Sequence, residues 1–566
     1  MTATLTPPKP AAPPLMAVRI LLVADTVIDP LVRLLGGDVA ATVAPYNQVR
    51  QTLLAPIEGR PDVLLVWTTP SLAVPAFGRL LRFEPHDLPA LLAEVDDFAA
   101  AVLHAAAGAR FVFVTSWALP PYRRWVAAMA MRHEAGAANV LMRMNLRLAE
   151  RLAPARNVVL LDVQHWQASL GRPAHDPKLH AMAQVHHSRE LFARAASEIK
   201  AVYRGLTGQS RKLVICDLDN TLWGGVVGDD GMENLQLGGH DAAGQSFAAV
   251  QRELQSLQRR GVLLAVCSKN DPRIALDAIS RHPEMVLRRD DFAAVQIGWG
   301  DKGAGVAAIL RELNLLPSSA VFLDDHPAER ALVRQTFPEV LVPELPEDVS
   351  AIPSFIAAMD CFETADLTAE DAGRTDLYRQ EAQRRGASAG ATTVQQWLDS
   401  LDIRLTVRPL DRASLPRAAQ LLNKTNQFNM AGRRLGEAEL WDWCAQPGRT
   451  ALLFSVADKF GDAGATGLVT ASTDGDTATL VDLVMSCRVM GKGIEQAMLS
   501  EACRAVGART VFAPFVVTEK NGPCRQFLEA AYAEPPRVDL SRLAAPAHVA
   551  VQRDDSVEIT TREAGV

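Results

Sequence analysis

No stretch of this 566-residue chain is apolar for long enough to cross a bilayer as a helix, so a membrane-spanning role is not expected. Residues 1–15, MTATLTPPKPAAPPL, lack the basic start and unbroken apolar stretch of a secretory signal, and their prolines point to a flexible arm. The seven cysteines (216, 267, 361, 444, 487, 503 and 524) are odd in number, scattered, and include no C-x-x-C pair. That pattern excludes a disulfide framework and a structural zinc site, and suits reduced thiols in the cytoplasm. Charge of one sign is also missing: a net −7 at pH 7 offers nothing to draw a nucleic acid. The partners to expect are small molecules or another protein.

What is present is alternation, with a length that suits about three domains. RILLVAD, PDVLLVWTT, ARFVFVTS and NVVLLDV are continuous apolar runs, the mark of strands buried on both faces, and Ala/Leu/Arg-rich helical segments lie between them. This predicts an α/β domain over 16–207. A second βα alternation from KLVICD to VLVPELP predicts a compact doubly wound parallel sheet over 208–350. Residues 351–400 form a polar helical connector with its best linker at 386–393. A third, α+β domain follows over 401–545, with a hairpin in ALLFSVADKFGDAGATGLVTAST. Residues 546–566 have no strong periodicity and are expected to be a tail. The fold class is therefore α/β, multidomain.

In an open α/β sheet, ligands collect beyond the carboxyl ends of the strands. Four strand ends of the central domain carry polar residues: Asp217 with Asp219, Ser268, Lys302, and Asp324 with Asp325. Each alone is an ordinary turn or cap residue. Together they form a set suited to phosphoryl transfer, with carboxylates around Mg²⁺, a hydroxyl for a phosphate oxygen and a point cation. Asp217 is then the nucleophile and Asp219 the general acid and base.

DLDNT, the CSKN segment at 267–270, GDK at 301–303 and FLDDHP at 322–327 resemble the four motifs of the haloacid-dehalogenase-like (HAD) phosphohydrolases. DLDNTLWGGVVGDDG resembles more narrowly their FkbH-type subgroup, as does KTNQFN at 424–429. The resemblance implies an aspartyl-phosphate on Asp217, acid/base work by Asp219, phosphate held by Ser268 and Lys302, and Mg²⁺ among Asp217, Asp219, Asp324 and Asp325. It also implies a function: removing phosphate from 1,3-bisphosphoglycerate and loading the glyceryl group onto a phosphopantetheinylated acyl carrier protein in polyketide or related biosynthesis. The intervals of about 50 residues from Asp217 to Ser268 and about 34 from there to Lys302 are too short for a folded cap domain, so the site is expected to be open to a bulky partner unless the neighbouring domains roof it. The alternatives are a stand-alone phosphatase for another phosphorylated metabolite or protein, an acyltransferase centred on the third domain, and a carrier-binding scaffold without turnover.

In the third domain Arg488, Gly491 and Gly493 form R-x-x-G-x-G at a helix start, where backbone N–H groups can cradle phosphate. They resemble the acyl-CoA loop of the GNAT acetyltransferases, with Asn521 and Tyr532 at later positions, and imply a site for CoA or the carrier's pantetheine. The first domain resembles an SGNH hydrolase that has lost its chemistry. Asp25, followed by Thr26, stands where the nucleophilic Ser belongs, and Asp176 and His180 are not at D-x-x-H spacing. His186 and His187 are read as capping or surface residues. Of the two cysteines beside motif residues, Cys216 is read as packing. Cys267, which the CSKN pattern shares, is the candidate for a protein thioester.

Overall fold

The computed structural model describes residues 18–119, 126–183, 185–239, 241–364, 374–380, 393–518 and 520–554. The expected arm at 1–15, all but Thr393 of the linker at 386–393, and the last part of the tail lie outside them. The chain forms two compact units, Met1–Lys200 and Ala201–Val566.

The first unit is built on five parallel strands, β1 (Val18–Ala24), β2 (Val39–Val43), β3 (Val63–Trp67), β4 (Phe111–Thr115) and β5 (Val158–Leu161), in the order β2-β1-β3-β4-β5. Every residue of VLLVW and FVFVT is buried, because helices cover both faces. Among them is Leu88–Ala106, whose first turn is capped by Asp87 accepting from Ala90 N at 2.9 Å.

The second unit holds two sheets. The first contains β6 (Leu213–Cys216), β7 (Leu263–Ser268), β8 (Phe292–Ile297) and β9 (Ala320–Leu323), all parallel in the order β8-β7-β6-β9. The two-residue period sends Val214 and Cys216 into the core on one face, with Leu264 and Val266. It sends Leu213 and Ile215 into the other, with Cys267 and Phe322. VLVPELP, expected as a further strand, makes only an isolated bridge from Leu341 to Val321, since Pro343 has no N–H to carry the ladder on.

The second sheet has eight strands: β10 (Ile403–Pro409), β11 (Arg449–Asp458), β12 (Gly461–Asp474), β13 (Thr477–Met485), β14 (Thr510–Phe512), β15 (Tyr532–Glu534), β16 (Arg537–Val538) and β17 (Val549–Arg553). Their order is β15-β16-β14-β13-β12-β11-β10-β17, mostly antiparallel, with the expected hairpin between β11 and β12. The expected tail departs from expectation. Its residues Val549–Arg553 form β17, an edge strand lying parallel to β10. Five residues with one buried side chain give little periodicity, and the partner lies far away in sequence.

Candidate active site

β6 lies between β7 and β9, and the chain leaves it at Asp217, whose N–H donates to Leu323 O at 3.0 Å. Three neighbouring strand ends therefore open at the same place. Asp301 caps the helix Lys302–Glu312 by accepting from Ala304 N at 2.8 Å, which starts that helix with Lys302 pointing inward and only 3% exposed. Its Nζ lies 2.6 Å from Asp217 Oδ2 and 2.5 Å from Asp324 Oδ2. Asp324 is fully buried, and its other oxygen accepts from His326 N at 2.8 Å.

Asp217, Asp324 and Asp325 each offer an oxygen to a common point, within 4.8 Å of one another. Three carboxylates thus face one ammonium. Burial pushes the Asp324 carboxyl up to about 6, and Asp217 beside it pushes the same way, against Lys302. Asp325 is raised for the same two reasons. Burial alone would pull Lys302 down, but Asp217 and Asp324 outweigh it and hold the ammonium above its ordinary value. Asp217 Oδ1 is buried and, among the described residues, has no hydrogen-bond partner. A buried carboxylate oxygen without a partner is costly, and a hard divalent cation shared with Asp324 and Asp325 would satisfy it.

Asp219, expected among the metal ligands, keeps its carboxylate outside that group. Its Oδ1 accepts from Trp223 Nε1 at 2.8 Å and Val227 N at 3.1 Å, and its Oδ2 from Asn270 Nδ2 at 2.8 Å. Burial nevertheless holds its carboxyl above the usual range, which favours a group that gives up and takes back a proton. Ser268 ends β7 beside β6 and is buried. The flap GGVVGDDG folds back by pairing Gly224 with Gln236 and adds a four-residue helical turn, Val227–Asp230.

Two contributors escaped sequence reasoning. Asn270 belongs to CSKN, so its motif was a signal, but its bond to Asp219 spans 51 residues. Arg330 donates to the carbonyls of Asp324 at 2.8 Å and Asp325 at 2.6 Å, and pairs with Glu344 at 2.6 Å. It holds the turn that presents both acids, and nothing local in sequence marks it.

Cys267 does not fit the role expected of it. It faces the helix Lys302–Glu312, where a Cβ on Gly305 would come within 2.6 Å of its sulfur, and it lies 3.7 Å from Lys302 O. Burial pushes its thiol up to about 12, so a thiolate is disfavoured there. Cys216 is likewise buried, on the opposite face, and its thiol is raised by burial.

The residues expected to bind CoA or pantetheine do not form an open cradle. Gly491 and Gly493 have the positive φ of a phosphate loop, 77° and 75°. Their N–H groups are turned to the Glu495 carboxylate, with Gly491 N donating to Glu495 Oε1. A Cβ on Gly493 would meet Pro546 at 2.9 Å, so the segment before β17 covers the loop. Asn521 is buried and fully engaged: it donates to Asn429 O and Val516 O and accepts from Thr518 N, each at 2.9 Å. Tyr532 donates to Ala513 O, and Arg488 Nε to Ser486 Oγ.

In the first unit Asp25 is 3% exposed and accepts from Thr69 N at 2.8 Å. Asp176 caps the helix Pro177–Ala183 through Lys178 N and Leu179 N. His187 is partly buried against Trp67 and Phe192. It accepts from Trp67 Nε1 at 3.3 Å, and burial pushes it down to about 3, so it stays neutral. Rings of His180 and His186 lie 4.7 Å apart.

No protein-family model matches the chain, and no curated protein does. Among solved structures it is similar to the N-terminal part of the protein BF1531 from Bacteroides fragilis, which contains a phosphatase domain and was solved with Mg. The two are 28% identical, the match covers 62% of this chain and 95% of that one, and the TM-score is 0.57. A fainter likeness links it to the ribosomal-protein-S18-alanine N-acetyltransferase of Escherichia coli, at 15% identity over 22% of this chain and 75% of that one, with a TM-score of 0.18, too low to carry an argument.

Proposed function

We propose that the chain is a Mg²⁺-dependent, HAD-like phosphatase of the FkbH type. In this reading it dephosphorylates 1,3-bisphosphoglycerate and delivers the glyceryl group to an acyl carrier protein. The observation that carries the phosphatase half is Asp217: one oxygen is held by Lys302, and the other is buried and unpartnered beside Asp324 and Asp325. That is the arrangement of a nucleophile awaiting a phosphorus atom and a cation. The likeness to a phosphatase-containing protein solved with Mg supports it.

Asp217, Asp324 and Asp325 are the residues that would hold the ion. When bound, Mg²⁺ offsets the repulsion between a carboxylate and an anionic phosphate. The Asp217 carboxylate attacks phosphorus, forming an aspartyl-phosphate as the ester oxygen departs. Asp219, oriented by Asn270 and Trp223, protonates that oxygen and then takes a proton from the water that cleaves the acyl-phosphate. Lys302 and Ser268 hold the phosphate oxygens. The short connections after β6 and β7 leave room above the site for a carrier-borne substrate.

The glyceryl half rests on the FkbH-like stretch Asp217–Gly231 and on KTNQFN. The filled glycine loop counts against the CoA acyltransferase reading, because Glu495 already supplies an anion there. The test is to incubate the chain with Mg²⁺, 1,3-bisphosphoglycerate and a pantetheinylated carrier and to weigh the carrier. A glyceryl mass gain is expected. Phosphate release without that gain leaves a stand-alone phosphatase.

A further inference from the structure

Among the described residues of 208–350, three large apolar side chains stand exposed: Trp299 (77%), Ile274 (43%) and Val226 (37%). Scattered singly, they would need no explanation. They are not scattered. Val226 lies in the flap that follows β6, Ile274 in the first turn of the helix Pro272–Arg281 that follows β7, and Trp299 in the loop that follows β8. All three stand at the carboxyl end of the sheet, where Asp217 leaves it. The fourth strand, β9, ends instead in Asp324 and Asp325, the acids that would hold the cation.

The chain ties each of these residues to the site. Val227, next to Val226, donates its N–H to Asp219 Oδ1 at 3.1 Å. Ile274 follows Asn270, whose side chain donates to Asp219 Oδ2 at 2.8 Å, and Asp271 fixes the turn between them by accepting from Ile274 N at 3.2 Å. Gly298, next to Trp299, donates its N–H to Ser268 O at 3.1 Å. Lys302 comes soon after in the same loop and helix start, so its Cα and that of Trp299 are at most roughly 11 Å apart. Trp299 is also free to turn. Gly298 and Gly300 flank it, neither has a positive φ, and a Cβ on either would meet nothing within 4 Å. Neither backbone geometry nor packing calls for glycine there, and what the pair supplies is conformational freedom around the indole.

We propose that Trp299 selects the leaving group. With Ile274 and Val226 it forms an apolar rim that grips the part of a phosphate monoester lying beyond the phosphate, so the site prefers esters with an aromatic or otherwise apolar body to small polar ones. The inference rests on the phosphatase half of the function proposed above. A ligand site joins a few polar groups that fix orientation to apolar walls that supply contact area. Here Asp217, Ser268 and Lys302 are the polar part and the rim is the apolar part. An indole suits that task because it offers a large, rigid face. For a glyceryl substrate, whose own carbons all bear oxygen, the apolar body is the pantetheine arm of the carrier-borne substrate.

The test measures, by calorimetry with Mg²⁺, binding of phenylphosphonate and methylphosphonate to the full chain; neither ligand has an ester bond to hydrolyse. Hydrolysis of p-nitrophenyl phosphate by the same sample is followed in parallel. Phenylphosphonate is expected to bind about tenfold more tightly, the upper end of what an aromatic contact is worth. Trp299→Ala brings the two ligands within about twofold of each other, and Trp299→Phe restores most of the preference. Phe83→Ala, which trims an exposed aromatic side chain of the first unit, keeps it. In the wild-type chain phenylphosphonate also slows oxidation of Trp299 by N-bromosuccinimide, read on the tryptic peptide 290–302, whose sole tryptophan it is, and methylphosphonate does not. Equal affinities, no binding, a preference that survives Trp299→Ala, or oxidation that the two ligands slow alike or not at all overturns the rim. The p-nitrophenyl phosphate assay then tells which reading has failed: hydrolysis leaves the phosphatase standing, and its absence removes the phosphatase as well. Because the oxidation is read on the wild-type chain, it decides the matter even where a variant fails to fold.

Discussion

Asp25 and Asp217 occupy equivalent places in two parallel sheets, each the first carboxylate after a buried strand, yet their surroundings differ in charge and in hydrogen bonding. Around Asp25, the backbone N–H and hydroxyl of Thr69 satisfy the carboxyl, and burial pushes it up to about 7, so it is largely uncharged under acidic conditions. Around Asp217, an ammonium and two further carboxylates gather, and one oxygen is left without a partner. A strand end becomes a site when neighbouring strand ends bring charge of both signs to it and leave valence unfilled. It stays structural when its own turn satisfies it.

The comparison breaks most sharply on substitution to Asn at the two positions. Asp217→Asn should lower Mg²⁺-dependent phosphate release at least ~10⁴-fold, as expected for a removed nucleophile, while Asp25→Asn leaves it unchanged. Steady-state assays of both variants check this, and a Asp217→Asn enzyme that still turns over within tenfold of wild type would place the nucleophile elsewhere. The next largest effect is on stability. Lys302→Met leaves Asp217 and Asp324 facing each other without a buried counter-charge and should cost roughly 3–5 kcal/mol in urea denaturation without metal. Added Mg²⁺ should restore part of that loss, because an ion bound by the folded state alone stabilises it. An unchanged midpoint in both conditions would show that the three carboxylates do not share a field.

Most of the central site was legible because its residues lie at strand ends, and strand ends announce themselves by where apolar runs stop. KLVICD, LLAVCS and AVFLDD each mark the boundary within a residue or two of the observed strand. What bonds across those ends was not legible. Asn270 reaches Asp219 and Arg330 reaches the Asp324 turn only after β6, β7 and β9 have paired. Cys267 misled because a residue beside a motif shares its sequence but not its face, since alternation turns it away from Ser268. The glycine loop misled differently. Its φ values are those of an anion cradle, but Glu495, four residues past Gly491, fills it. β17 went unseen because five residues pairing with a strand more than a hundred positions earlier leave no local periodicity.

A smaller effect sharpens the contrast from the Asp25 side. Its carboxyl is raised from 3.8 to about 7 in the folded state, so the folded chain holds a proton that the unfolded chain releases. The corresponding stability is complete below pH 3.8 and is lost as pH rises through 7, by at most roughly 4 kcal/mol for three pH units. Asp25→Asn keeps an oxygen for Thr69 and cannot ionise. The variant should lack this decline and be the more stable of the two at pH 8, as read from urea midpoints between pH 4 and 8. Parallel curves for the two proteins would mean that Asp25 is ionised in the fold.

The smallest effect separates a carboxyl that is positioned from one that is merely buried. Asn270 touches Asp219 and, in this reading, never the substrate, so it acts by orienting the acid and by favouring its ionised form. Asn270→Ala should reduce turnover by about tenfold, with little change in KM, because the bond it removes is to a charged group worth about 1.5 kcal/mol or more. Removing a donor to the carboxylate also raises the Asp219 pKa further, so the alkaline limb of the turnover–pH profile should move to higher pH. A purely structural Asn270 would lower turnover at every pH alike and leave that limb in place. Asn270→Ser, which retains a hydroxyl donor, should recover part of both changes.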